Sequence, residues 1–141
     1  MYDELTVQLR RDEGERLSAY ADSLGWLTIG IGRLIDSRKG GGITREESAY
    51  LLRNDIAKVD RQLQERLPWV VTLSPARRGA LQNMAFQLGI NGLLGFKNTL
   101  VMIEQGEYAK AADAMLKSKW AEQTPERAKR LSRQMLTDTW Q

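Results

Sequence analysis

A chain of 141 residues, with 42% hydrophobic and 28% charged side chains, is sized for one globular domain with a real core. It holds neither cysteine nor histidine, which excludes disulfides, thiolate or imidazole metal sites, and any Ser-His or Cys-His catalytic pairing. The net charge of +3 favours polyanionic surfaces but does not choose between a bacterial envelope and nucleic acid.

Residues 3–13 read as a short helix, with Leu5, Val7 and Leu9 on its apolar side and Gly14 as its stop. Residues 20–34 are rich in β-branched and aromatic side chains broken by glycines, the pattern of short strands and tight turns. Gly30 and Gly32 either relieve strain at a bend or let a ligand approach the backbone, and the sequence leaves both open. Arg38-Lys39-Gly40-Gly41-Gly42 is a loop without the Lys-Ser/Thr ending of a phosphate-binding loop.

Thr44 and Glu47 fit a capping box that opens a long amphipathic helix. Leu51, Leu52, Ile56, Val59 and Leu63 follow at helical intervals, with Pro68 beyond the end. Ser74-Pro75 starts the next helix; its apolar face is Leu81, Met84, Ala85 and Leu88, and Gly89 ends it. Asn98 and Thr124 read as further caps, and residues 107–119 and 125–136 as two short amphipathic helices. The expected class is α+β, mostly α-helical. The longest apolar runs fall far short of the roughly 18 residues that cross a bilayer, and the acidic Met1-Tyr2-Asp3-Glu4 start does not read as a secretory leader, so none is expected.

Glu13 sits at a helix end, whereas Asp22 and Thr28 flank a hairpin turn. Two carboxyls in different environments can cleave a glycosidic bond without a cofactor. The protonated one serves the leaving oxygen, and the ionised one activates water or stabilises the oxocarbenium-like transition state. An Asp in a turn is equally explained by turn chemistry.

The context Asp12-Glu13-Gly14, Asp22 and Thr28-Ile29-Gly30-Ile31-Gly32 resembles the phage-type lysozymes of glycoside hydrolase family 24, the T-even type most closely. The likeness continues through Arg77-Arg78-Gly79-Ala80-Leu81-Gln82-Asn83-Met84-Ala85-Phe86-Gln87-Leu88-Gly89 and Gly95-Phe96-Lys97-Asn98-Thr99-Leu100. It extends over Lys117-Ser118-Lys119-Trp120 and Gln123-Thr124-Pro125-Glu126-Arg127-Ala128-Lys129-Arg130, and so covers most of the chain.

The resemblance implies a lysozyme-like fold in one domain, residues 1–141. A small lobe at about 14–45 would carry a β-hairpin, a connecting helix would span about 45–67, and a helical lobe would take about 68–141 plus the N-terminal helix. It further implies an endolysin-type muramidase that hydrolyses the β-1,4 bond between N-acetylmuramic acid and N-acetylglucosamine in peptidoglycan, with no cofactor and no metal. Glu13 would be the general acid, Asp22 the second carboxylate and Thr28 a holder of the attacking water. Arg127 matches an arginine that pairs with the catalytic glutamate. Leu34 (through its backbone), Phe86, Gln87, Thr99 and Gln123 would be further substrate contacts, with core packing the alternative for Phe86. The implied partners are glycan strands and a holin that releases the protein from the host cytoplasm. Nucleic acid and stable membrane insertion are not expected, and the chain would act as a monomer.

Three departures stand out. Arg33 occupies the usual place of a histidine, which suggests a replacement ion pair with Asp55. Ala114 replaces an asparagine ligand, and the segment between Leu34 and Ile43 is shortened. The alternatives to hydrolysis are a lytic transglycosylase, or a virion-associated or non-catalytic peptidoglycan-binding module. Arg127, Arg130 and Arg133 recur at three-residue intervals, as a solvated helix face or a nucleic-acid-binding stripe.

Overall fold

The computed structural model describes residues 4–35 and 40–141; within its first helix the side chains of Leu5, Gln8, Leu9, Asp12 and Glu13 lie outside the described residues, as do Arg38 and Lys39. The class is α+β and mostly helical, as expected. The chain divides into two compact units, Met1–Leu51 and Leu52–Gln141.

In the first unit, α1 (Glu4–Glu13) stops where Gly14 turns to φ +74° and its N–H reaches the Arg10 carbonyl at 3.1 Å. Three antiparallel strands follow in the order β1 (Arg16–Ala21), β2 (Leu27–Gly30) and β3 (Arg33–Leu34), so β2 is central. Tyr20 lies opposite Thr28 and Arg16 opposite Gly30, with an irregularity between them; Thr28 also faces Leu34. Gly30 has φ +69°, and a β-carbon there would meet nothing within 4 Å. The left-handed backbone requires glycine at this bend, and no protein atom crowds it.

The capping box forms as expected: the Thr44 N–H donates to Glu47 Oε1 at 2.9 Å and the Glu47 N–H to Thr44 Oγ1 at 3.1 Å. It opens α2 (Arg45–Arg66), and the boundary between the units falls within this helix. A short 3-10 helix, Pro68–Thr72, comes next, too brief to leave a periodic signature.

α3 (Pro75–Leu94) starts after Ser74, but the Ser74 hydroxyl bonds Asp138 instead of capping the helix. Gly89 (φ +76°, ψ 161°) breaks the helix without ending it, and helical residues resume to Leu94. Asn98 lies inside α4 (Lys97–Glu104), whose cap position is Phe96. The helix expected over residues 107–119 is two elements: α5 (Tyr108–Leu116) and α6 (Lys119–Gln123), the latter capped by Ser118 accepting from the Ala121 N–H. Thr124 caps nothing ahead of it in α7 (Pro125–Thr137); its hydroxyl donates back to the Trp120 carbonyl at 3.0 Å and closes α6.

The core of the second unit is drawn from α3 (Leu81, Met84), α5 (Met115), α7 (Leu131, Met135) and α4 (Ile103), with Trp120 beside them. Each such side chain contributes about 1.5–3 kcal/mol when taken fully out of water. Ala80, Ala111 and Ala128, all fully buried, let α3, α5 and α7 approach closely.

One polar cluster ties α2 to α3. Arg78 grips Asp60 with Nε at 3.0 Å and Nη2 at 2.7 and 2.8 Å, while Gln82 and Gln64 donate at 2.9 and 2.7 Å. Burial pushes the Asp60 carboxyl up, but hydrogen bonds from Arg78, Gln82 and Gln64, with the Arg78 charge, outweigh it and hold it below its ordinary range. A depressed folded-state pKa contributes stability that is present above the unfolded value and lost as pH falls through the folded one. Asp60→Asn is therefore expected to cost about 1–3 kcal/mol near neutral pH. Urea unfolding should show the difference from wild type shrinking below about pH 4; a constant difference across that range would contradict this role.

Candidate functional site

The first unit builds its site on the β1–β2 turn. Asp22 Oδ1 accepts two backbone N–H groups of its own turn, from Leu24 and Trp26, both at 2.9 Å. Its backbone N–H donates to the Trp26 carbonyl at 2.8 Å, and Gly25 (φ +85°) returns to the Asp22 carbonyl at 2.9 Å. The turn chemistry considered for Asp22 is thus real, and it engages Oδ1.

Thr28, two residues further along β2, is 2% exposed, and its hydroxyl donates to the same Trp26 carbonyl at 3.0 Å. With the proton committed there, Thr28 Oγ1 presents lone pairs and can act as an acceptor. Asp22 and Thr28 are therefore fixed through one backbone atom. Glu13 is the last residue of α1, and its side chain lies outside the described residues. Leu34, in β3, pairs with Thr28, and its carbonyl accepts the Gly42 N–H at 3.0 Å.

Arg33 is held within its own unit. Its Nη1 donates to Glu47 Oε1 at 2.9 Å and to the Gly42 carbonyl at 3.3 Å, so Glu47 supplies the negative charge that the sequence suggested from Asp55. The Arg33 hydrogen bond, followed by the Thr44 N–H, lowers the Glu47 carboxyl to about 2. The pair consequently persists until pH falls toward that value. Arg33 and Glu47 also border an open groove of about 740 Å³ with Leu17, Ile29, Ile31 and Tyr50, a feature that no motif announced.

In the second unit, Arg127 donates through Nε and Nη2 to Asn83 Oδ1 at 2.9 and 2.7 Å. Both residues line a cavity of about 310 Å³ with Ile56, Gln82, Phe86 and Trp140. Phe86 is 45% exposed, which removes core packing as the account of this aromatic. Gln87 Oε1 accepts the Trp120 indole N–H at 2.9 Å, leaving its amide NH₂ as the outward polar group. Gln123 lines a separate depression of about 340 Å³ beside Trp120 and Lys119, and Thr99 is buried within α4.

Sequence reasoning missed Asn83, although it stands one helical turn before Phe86. It also missed the Trp26 carbonyl, a backbone atom that leaves no mark on residue identity. Among the described residues no group of three or more His, Cys, Asp or Glu is arranged to hold a metal ion, and no helix is long and apolar enough to cross a membrane.

Comparison with known proteins adds an independent line. A family model described as phage lysozyme matches residues 10–135. Probable T4-type lysozyme 1 of Dictyostelium discoideum is 34% identical over 93% of this chain and 92% of its own length. The endolysin of Salmonella phage P22 is 35% identical over 85% of this chain and 84% of its own. The pre-baseplate central spike protein Gp5 of Enterobacteria phage T4 is 34% identical over 94% of this chain, which spans 28% of that protein.

The anchoring of the turn by the Asp22 carboxylate can be tested by itself. Asp22→Ala removes the acceptor of the Leu24 and Trp26 amides and should speed their hydrogen exchange roughly fivefold, from about 1 kcal/mol per lost bond. Asp22→Asn keeps a carbonyl oxygen at that position and should leave both amides close to wild type. Equal acceleration in the two variants, followed by NMR, would show that the turn depends on the charge rather than on the acceptor.

Proposed function

The chain belongs to the phage lysozyme family and is a glycoside hydrolase of the lysozyme type; from that premise we propose that Glu13, Asp22 and Thr28 carry its catalysis on bacterial peptidoglycan. The bond cut is the β-1,4 link between N-acetylmuramic acid and N-acetylglucosamine, and the outcome is endolysin-type lysis of the host cell. Glu13 gives its proton to the leaving glycosidic oxygen. A water held by Asp22 and Thr28 attacks the anomeric carbon, and its proton passes to the Asp22 carboxylate. No cofactor enters this scheme.

The observation that carries this reading is the shared tether at Trp26. One carbonyl receives the Asp22 N–H and the Thr28 hydroxyl, so a carboxylate and an oriented acceptor are positioned as a unit. Two amide donors on Asp22 Oδ1 suit the ionised, accept-only form that a base requires. Arg127, oriented by Asn83, is a further glycan contact.

Leu34, Phe86, Gln87, Thr99 and Gln123 contact the glycan. Phe86 offers its exposed ring, and Gln87 offers the amide that Trp120 leaves available. The protein works as one monomeric domain over residues 1–141. It stays in the host cytoplasm until a holin opens the way to the wall. Similarity to a spike protein of which this chain spans 28% favours residence in a virion as the second context for the same chemistry.

Glu13→Gln keeps the shape of the side chain and removes its acidic proton. Lysis of permeabilised Gram-negative cells should fall by at least about a hundredfold, with the circular dichroism spectrum unchanged. Muropeptides from the wild-type digest should carry reducing ends by mass spectrometry. Near-normal turnover of the variant, or anhydro ends in the digest, would refute the assignment.

A further inference from the structure

Two aromatic rings share the sheet face that carries Asp22 and Thr28. Residues directly opposite each other in an antiparallel ladder point to the same side, and alternate residues along a strand do likewise. Tyr20 lies opposite Thr28, and nearer the turn the Asp22 N–H meets the Trp26 carbonyl at 2.8 Å. Tyr20, Asp22, Trp26 and Thr28 therefore lie on one side of the hairpin, whereas Leu27 and Ile29 alternate to the other.

The two rings are not equivalent. The Arg16 guanidinium lies 4.8 Å from the centroid of the Tyr20 ring and covers one of its faces. Trp26 is 36% exposed. Its backbone is fixed on both sides, because its N–H donates to Asp22 Oδ1 and its carbonyl accepts from Asp22 and Thr28. Only the side-chain torsions remain for a ligand to order, which keeps the entropic cost of a contact low.

We propose that the Trp26 indole is a stacking platform for an N-acetylhexosamine ring of the glycan beside the bond that is cut. This rests on the roles given to Asp22 and Thr28, which set where that bond lies. A β-linked pyranose with equatorial substituents turns its axial C–H bonds outward as an apolar face, and such a face suits an aromatic plane. The other polymer that stacks on aromatic rings is a nucleic-acid strand. The Asp22 carboxylate beside the indole would repel its phosphates, so a neutral sugar ring is the favoured occupant.

The test is steady-state hydrolysis of soluble peptidoglycan strands by the wild-type protein and by Trp26→Ala, Trp26→Phe and Trp26→Leu. Each substitution keeps the amide and carbonyl that tether Asp22 and Thr28. Trp26→Ala should raise KM about tenfold, with kcat within about twofold of wild type. Trp26→Phe should recover most of that loss; Trp26→Leu, apolar but without a ring, should not. An unchanged KM in Trp26→Ala, or recovery by leucine equal to that by phenylalanine, would overturn the proposal. So would a fall in kcat at constant KM in all three variants, since the residue would then act through its backbone tether alone. Failure of the catalytic assignment is a separate result, read from turnover of Glu13→Gln with Trp26 in place.

Discussion

The carbonyl oxygen of Trp26 is the atom on which the first unit's site depends. It takes the Asp22 N–H at 2.8 Å and the Thr28 hydroxyl at 3.0 Å, while the Asp22 carboxylate secures the Leu24 and Trp26 amides from the other direction. A hydroxyl can rotate, and a turn can open. Here each motion would cost a hydrogen bond to this one oxygen. Preorganisation of this sort matters because a hydrolytic water must be oriented before attack, and any rearrangement at that moment raises the barrier.

Several charges that hold the scaffold are satisfied by their neighbours. Arg33 and Glu47 neutralise each other inside the capping box of α2. Asp60 is gripped by Arg78 with Gln82 and Gln64 completing its shell, and Arg77 reaches the carbonyls of Met135 and Leu136 at the end of α7 while stacking 3.6 Å from the Tyr108 ring centroid. In the second unit, Arg127 is oriented by Asn83 beside the exposed ring of Phe86, where its guanidinium has a fixed direction before any ligand arrives.

What the sequence conveyed best was whatever depends on local chemistry. The Thr44–Glu47 box, the stop at Gly14 and the hairpin glycines follow from propensities acting over three or four residues, and the Glu13, Asp22 and Thr28 pattern was recognisable by its order. What it conveyed poorly was competition between distant groups. Ser74 had the right residue type for a cap, yet Asp138, sixty-four positions away, holds its hydroxyl. Thr124 turned back to α6, and Arg33 took Glu47 in preference to the more distant acid that family analogy suggested. Gly89 carried a correct signal for a break, but packing of Leu93 into the core lets the helix resume. The tether at Trp26 was invisible for a different reason: any residue supplies a carbonyl.

The most direct test of this account is the anomeric configuration of the first product, followed by proton NMR during digestion of a soluble glycan. Under the proposed roles, a water held by Asp22 and Thr28 would attack from the face opposite the departing sugar, so the β-linked substrate should yield the α-anomer first. Initial release of the β-anomer would mean that a covalent intermediate precedes water, and would contradict the role given to the Trp26-tethered pair.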